Sequence, residues 1–303
     1  MNKIVIAIPT YKRPDMLTEL LQSILKCRID SSLISEVNII VVDNDIDKTA
    51  EYAVSNLTFE KTEIKSIVYH NFIEKGLSNV RNEMLRKGFE SSPDFIVFID
   101  DDEFVTIEWL NELIKTIINN DADLARGPVF AKMTDNTHEK ISCWFTRENF
   151  PNNKKLYTLA SGNLIMRRTS LQKFGIWFDK RFNSTGSEDS FFGIQLLKKG
   201  AKIFWAANAV TYETIPESRT TLSWLLKRNY RVAGTFTYIL KVENQSLKLV
   251  KKTIVSLIYI LIGFLGIIFM LLPIKKRYWG ILKLSEGLGG ISGLGNKIYS
   301  EYK

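Results

Sequence analysis

Phe95-Ile96-Val97-Phe98-Ile99-Asp100-Asp101-Asp102-Glu103 runs five apolar residues straight into four acids. An unbroken apolar run of this length, half of it β-branched, reads as a strand covered on both faces, as in a parallel sheet under helices. Four carboxylates at the end of that strand repel one another. A fold that keeps them together has a use for a cation, and hard oxygen ligands suit Mg²⁺, Mn²⁺ or Ca²⁺. In open α/β sheets, ligands collect at the carboxyl ends of strands. The run also has a plain reading as a solvated loop. Thr106 then opens a helix at Ile107-Glu108-Trp109-Leu110, and Glu103 serves as an acid near its start.

Outward from this run, apolar β-branched stretches alternate with helical ones. Strands are expected at Ile4–Ile8, Val37–Val42 and Ser66–Tyr69, and helices at Pro14–Lys26, Lys48–Asn56 and Ser78–Phe89. That alternation predicts an α/β fold, with a Rossmann-like, mostly parallel central sheet and helices on both faces. The first strand–helix turn, Pro9-Thr10-Tyr11-Lys12-Arg13, has neither the glycines of a dinucleotide fold nor a P-loop. Beyond the acids the alternation loosens. Leu124–Ala131, Leu164–Arg167 and Lys202–Val210 read as strands, Asn149–Lys155 as a polar loop, and Ser187–Lys199 as a helix stopped by Gly200. Thr220–Leu240 reads as a basic, aromatic helix, suited either to a membrane surface or to ordinary packing.

The net charge of +8 is unevenly placed: residues 219–303 hold 14 Lys/Arg against 3 Asp/Glu. The body is slightly acidic, which argues against nucleic acid as a partner and for an anionic membrane near the tail. Ile254–Leu272 carries no charge over 19 residues, bracketed by Lys251-Lys252 and Lys275-Lys276-Arg277. At ~1.5 Å per residue it matches one hydrocarbon core. It reads as a membrane helix, with Gly263, Gly266 and Pro273 permitting a kinked or re-entrant path. The glycines of residues 287–295 read as flexible loops or close packing. Cys27 and Cys143 form no metal or disulfide pattern, so a reducing compartment is expected. The N-terminus enters a strand at once, so no secretory leader is expected.

Six ordered motifs make the chain resemble a family 2 glycosyltransferase over about residues 1–235. They are Ile8-Pro9-Thr10-Tyr11-Lys12-Arg13, Val41-Val42-Asp43-Asn44, Gly76-Leu77-Ser78-Asn79-Val80-Arg81-Asn82, Asp100-Asp101-Asp102-Glu103, Ser161-Gly162-Asn163 and Gly186-Ser187-Glu188-Asp189. The tail resembles, more loosely, membrane-attached bacterial enzymes that extend exopolysaccharide repeat units on a lipid carrier. The resemblance implies a GT-A fold. Residues 1–103 would form its nucleotide-binding half, 104–240 its acceptor-binding half, and 241–303 a membrane-associated tail.

It also implies roles. Asp43 would accept from the N3–H of a uracil ring, with Pro9, Thr10 and Arg13 bordering base and ribose. Arg81 would reach the nucleotide, a guanidinium being apt for a phosphate pair. Asp100 and Asp101 would lie on the nucleotide side. Asp102 would hold Mg²⁺ or Mn²⁺ through the donor diphosphate, with Asp101 the alternative ligand because the fourth acid permits a shift of one residue. Asp189 would be the catalytic base and Glu188 the second choice. Without the resemblance, acids in the first turn of a helix behind Ser187 are ordinary capping. Ser161, Gly162 and Asn163 would line the donor-sugar or acceptor pocket. Arg219, Arg228 and Arg231 would hold an acceptor pyrophosphate or lipid head groups, or else form a solvated basic face. Trp144, Trp177 and Trp205 either stack on sugar faces or belong to the core, and no role is expected for His70 or His138.

The implied reaction is inverting, metal-dependent transfer from a nucleotide-sugar donor, expected to be a UDP-sugar. The acceptor would be a hydroxyl of a glycan on polyprenyl diphosphate, at the cell membrane with the catalytic domain facing the cytoplasm. The rivals are a polyprenyl-phosphate glycosyltransferase and a non-catalytic membrane scaffold that keeps the fold.

Overall fold

The computed structural model describes residues 1–60, 62–133, 143–145, 149–271, 277–296 and 298–300. His138, Leu272, Pro273, Lys275 and Lys276 lie outside the described residues. The chain divides into two compact units: residues 1–132, 147–183 and 188–214, and residues 133–146, 184–187 and 215–303.

The first unit opens β1 (Asn2–Thr10), α1 (Pro14–Lys26), β2 (Ile34–Asp43), α2 (Glu51–Ser55), β3 (Ile64–Asn71), α3 (Leu77–Glu90), β4 (Phe95–Phe98). Then come β5 (Glu103–Val105), α4 (Trp109–Asn119), β6 (Leu124–Arg126), β7 (Val129–Met133), β8 (Leu164–Arg167), α5 (Arg168–Phe174), α6 (Glu188–Lys198), β9 (Ile203–Trp205) and β10 (Thr211–Ile215). Seven strands make one sheet in the order β3-β2-β1-β4-β8-β6-β9. Only β8 runs against its neighbours. Strands β5, β10 and β7 form a second, small sheet.

The alternation along β1 explains the layers. Ile4, Ile6 and Ile8 face a core built with Leu17, Leu20 and Leu21 of α1 and Trp109, Leu113 and Ile117 of α4. Val5 and Ala7 face the opposite core, with Val80, Met84 and Leu85 of α3 and Phe178 and Phe192. Burial on both faces is what a parallel sheet between helices requires. The acids therefore leave β4 at the edge of a rigid, fully buried strand.

Three expectations need correction here. The acidic run is not a solvated helix-start loop. Glu103 begins β5, whose Phe104 and Val105 pair with Tyr212 and Thr211 of β10, and α4 starts only at Trp109. Leu124–Ala131 is broken at Gly127-Pro128 into two strands of different sheets, because proline removes a ladder donor. The strand within Lys202–Val210 is only Ile203–Trp205.

Among the described residues the second unit contains the helices α7 (Leu222–Val242), α8 (Ser246–Gly266, ending in a 3-10 turn over Ile267–Leu271) and α9 (Trp279–Leu294). The side chain of Thr221 caps α7 by accepting from Trp224 N. Ser246–Leu271 is the one stretch among the described residues long and apolar enough to cross a membrane. The glycines after residue 286 are helical rather than loops. They let α9 pack against both α7 and α8: a Cβ at Gly289 would strike Tyr230 of α7, and one at Gly287 would strike the backbone of Ser256 in α8. Ser285 Oγ donates to Leu226 O at 2.7 Å across the first of these contacts. The 184–187 segment belongs to this unit. Arg231, only 9% exposed, donates from Nη1 to Thr185 O at 3.0 Å, and Ser300 Oγ donates to Ser184 O.

Candidate active site

The parallel strands β1, β2 and β4 end side by side, so Thr10, Asp43 and Asp100 emerge at one edge of the sheet. Asp43 is fully buried at the end of β2. Its Oδ1 accepts from Asp45 N at 3.0 Å, and its Oδ2 from Tyr69 Oη at 2.8 Å and Ala50 N at 3.3 Å. Burial and then the Asp43 carboxylate raise the Tyr69 phenol well above its ordinary range. Asn71 ties the same turn together, donating to Asp43 O and Asp45 O. Neither Tyr69 nor Asn71 belongs to one of the six motifs. Their only sequence signal is register, since β3 alongside β2 sets Asn71 opposite Asp43.

Thr10 Oγ1 donates to Asp101 Oδ2 at 2.8 Å. Arg13 Nη1 bridges Asp101 Oδ1 at 3.2 Å and Asp102 Oδ2 at 3.1 Å. Burial raises the Asp101 pKa, while Arg13 and Thr10 pull it back. Burial also works against the Arg13 charge, but Asp101 and Asp102 outweigh it. Pro9, with no N–H to give, stands within β1 opposite Val42, one residue before Thr10.

Arg81 projects from the second turn of α3 and is 8% exposed. Gly76 precedes that helix at φ +119°, with the Asn183 side chain where a Cβ would stand. Arg81 Nε donates to Glu188 Oε1 at 2.9 Å and Nη2 to Asp100 Oδ1 at 3.2 Å. Its Nη1 is buried with no partner. Burial opposes the charge, but Asp100, Glu188 and Asp189 together hold it. Glu83, two residues further along α3, pairs with Arg86 and His70 rather than with Arg81.

Glu188 is 3% exposed, whereas Asp189 is half-buried. Asp189 Oδ2 accepts from Ser161 N at 3.3 Å and Oδ1 from Ser190 N at 2.6 Å. The Glu188 carboxyl is pushed up to about 7, first by burial and then by the Asp189 charge, with Arg81 pulling down. A carboxyl whose folded pKa exceeds its unfolded one favours the fold while protonated. From an ordinary 4.5 to about 7, that contribution is lost as pH rises through the window. Glu188→Gln is therefore expected to flatten the decline in stability between those pH values, read from urea midpoints across a pH series. An unaltered slope would refute the assignment.

Gly162 brings the backbone against the acids. A Cβ there would stand 2.5 Å from Glu103 Oε1 and 3.4 Å from Asp100 Oδ2. Glu103, dismissed as a helix-start acid, is 3% exposed and accepts from Thr211 Oγ1 at 2.7 Å. Burial, then Asp100, hold its carboxyl well above the usual range. Asn163 corrects another expectation. It is fully buried, its Nδ2 donates to Pro128 O and Ala209 O, and its Oδ1 accepts from Trp109 Nε1. Every polar atom of the amide is engaged within the protein, so Asn163 is a strut rather than pocket lining. Arg231 is likewise tied to Thr185 and buried, so it is not a free acceptor of head groups. Arg228 stacks over Trp224, and Arg219 closes a 3-10 turn. Trp205 is core, and Trp177 is about half exposed.

Among the described residues no group of three or more His, Cys, Asp or Glu side chains converges as a metal cage. The donor set nevertheless fits a hard cation that takes most of its oxygens from a diphosphate and water. Asp102 offers a carboxylate beyond the end of β4, paired with Arg13 Nη1 at 3.1 Å.

Residues 5–175 match the sequence profile described as Glycosyl transferase family 2, and residues 95–282 match Glycosyl transferase family group 2. The succinoglycan biosynthesis protein ExoM of Rhizobium meliloti (strain 1021) is 28% identical over 252 residues, covering 80% of this chain and 77% of that protein. The crystal structure of S. aureus TarS 1-349 in complex with UDP-GlcNAc superposes with a TM-score of 0.57 at 17% identity, covering 98% of this chain and 93% of that one. A longer S. aureus TarS structure gives 0.54 at 16% identity, over 96% of this chain and 55% of its own. These superpositions carry the fold, a GT-A-like mixed and mostly parallel sheet.

Proposed function

Because the chain belongs to glycosyl transferase family 2 and is a glycosyltransferase, we propose that it transfers a sugar, with inversion, from a UDP-sugar to a hydroxyl of a lipid-linked glycan. One observation carries this reading: Arg81 joins Asp100, just beyond β4, to Glu188 on α6. Motifs a hundred residues apart thus meet at one strand edge, with Asp189 next in the chain. ExoM, named for succinoglycan biosynthesis, supports an exopolysaccharide product, and the UDP-GlcNAc held by TarS supports a uridine donor.

In this reading, Asp43, Pro9, Thr10 and Arg13 border the nucleoside, and Arg81 Nη1 is a spare donor for the diphosphate. Asp189 removes the acceptor hydroxyl proton as that oxygen attacks C1 from the face opposite the leaving group. The C1–O bond to the diphosphate breaks, the nucleotide departs with the electron pair, and the proton stays on Asp189. Glu188 does not touch the acceptor; it fixes Arg81. Mg²⁺ or Mn²⁺, held by Asp102 with Asp101 beside it, would supply neutralisation of the departing diphosphate. Residues 1–103 would serve the nucleotide, 104–240 the acceptor, and 241–303 the cell membrane, with catalysis on the cytoplasmic side. A polyprenyl-diphosphate acceptor would gain effective concentration from that attachment.

A thermal-shift screen of nucleotide sugars tests the donor and metal together. One UDP-sugar is expected to raise Tm by about 5 °C at roughly 100 Kd. The shift should require Mn²⁺ and vanish in Asp102→Asn. No shift with any donor would refute this reading.

A further inference from the structure

Helix α8 is two-sided in a way its composition conceals. Ile254, Leu257, Leu261, Phe264, Leu265 and Ile268 recur at helical spacing and are all exposed, from 52% upward. The opposite side carries Ser256, Tyr259, Gly263 and Gly266, and it is this side that meets α9. Gly263 lies against Leu284, Gly266 against Gly280, and Ser256 against Gly287 and Gly290. These contacts run antiparallel and fix the level of every α9 residue along α8.

They place a charged pair at an awkward level for a membrane span. Lys283 and Glu286 form an ion pair at 2.8 Å, with side chains 27% and 29% exposed. Lys283 Nζ lies 4.1 Å from the Tyr259 ring centroid. Tyr259 and Gly263 stand at the middle of the apolar segment. Were α8 to cross a bilayer, both charges would sit near its centre, among the costliest positions for an ionised side chain. A helix lying in the interface meets no such cost. Its apolar face enters the acyl boundary while the other side stays among head groups. The basic residues fit that placement. Lys248, Lys251 and Lys252 begin α8, and Arg277 precedes α9, so anionic head groups are the complementary partner.

We infer that α8 and α9 form an in-plane hairpin on one leaflet of an anionic bilayer, with the Ile254–Ile268 face in the acyl layer and the Lys283–Glu286 side toward water. This deepens the membrane attachment proposed above and rests on it.

Single-cysteine full-length variants, Asn244→Cys before α8 and Tyr278→Cys before α9, test it. Both are made with Cys27→Ser and Cys143→Ser in the background. Spheroplasts and inverted membrane vesicles from producing cells are treated with a membrane-impermeant maleimide. The in-plane hairpin predicts that both positions react in inverted vesicles, within about twofold of each other, and neither in spheroplasts. Reaction of Tyr278→Cys in spheroplasts would establish a span; it would overturn the hairpin and keep the attachment. Recovery of the protein in the soluble fraction would overturn the attachment, and the hairpin with it. Flotation of purified protein with vesicles adds the lipid arm. Binding should be at least about tenfold stronger with equal parts phosphatidylglycerol and phosphatidylcholine than with phosphatidylcholine alone, and should weaken with salt. Equal binding to both would refute the anionic leaflet.

Discussion

Asp189→Asn lowers kcat for sugar transfer by about 10²- to 10⁴-fold, the range for a positioned general base, while donor binding persists. The amide oxygen can still accept from Ser190 N, the shorter of the two backbone contacts, so the loop keeps its shape. What disappears is the ability to take a proton. Release of UDP and incorporation of labelled sugar measure the loss, and the donor-dependent thermal shift measures what is retained. Transfer that survives within a few-fold would sink the base assignment. It would mean that the acceptor oxygen is already an anion, as in a polyprenyl phosphate.

Arg81→Met carries the second large effect, and it falls on stability as well as activity. Removing one partner of a buried ion pair costs about 3–5 kcal/mol, because the other is left uncompensated. Here two carboxylates lose their partner at once, Glu188 and Asp100. The size should depend on pH. Glu188 is already pushed up to about 7 by burial and Asp189. Without Arg81 it takes a proton more readily, so the destabilisation should be smaller at pH 5 than at pH 8. Urea midpoints at the two pH values read this. The double variant Arg81→Met with Glu188→Gln should recover part of the stability at pH 8 and none of the activity. A single-variant loss below about 1 kcal/mol at pH 8 would mean the bridge is no more than a surface pair.

The first half of the sheet was legible because its signal is local. Each of β1, β2 and β4 is apolar on both faces, and the acids stand where the last of them stops. The candidate site was legible as a set of motifs, but their partners were not. β5 is three residues long and exists only because it pairs with β10, about a hundred residues later. No local pattern marks Glu103 as buried. Asn163 sits in a motif suggestive of ligand, yet its amide closes a corner between Trp109, Pro128 and Ala209. That closure needs two distant backbone carbonyls and one indole N–H. Arg231 looked like a surface cation because its helix is basic. Burial against Thr185 depends on residues 184–187 joining the second unit. The glycines of α9 left loops and close packing both open, and the fold takes the second. Each costs about 1 kcal/mol of helix propensity relative to alanine, and only backbone-close packing on α7 and α8 offsets that.

The position of α9 between its neighbours bears on how the protein can be produced. Shortening the gene ahead of α8 is the usual route past an apolar tail. Here it would remove α9 as well and strip cover from Gly234 and Thr237 of α7, which now meet Gly289 and Gly293. The truncated protein would trade one sticky surface for another. The outer face of α8 is the better place to intervene. Polar replacements at Leu257, Leu261 and Leu265 alter exposed side chains alone, so a detergent-free preparation could keep the three helices whole.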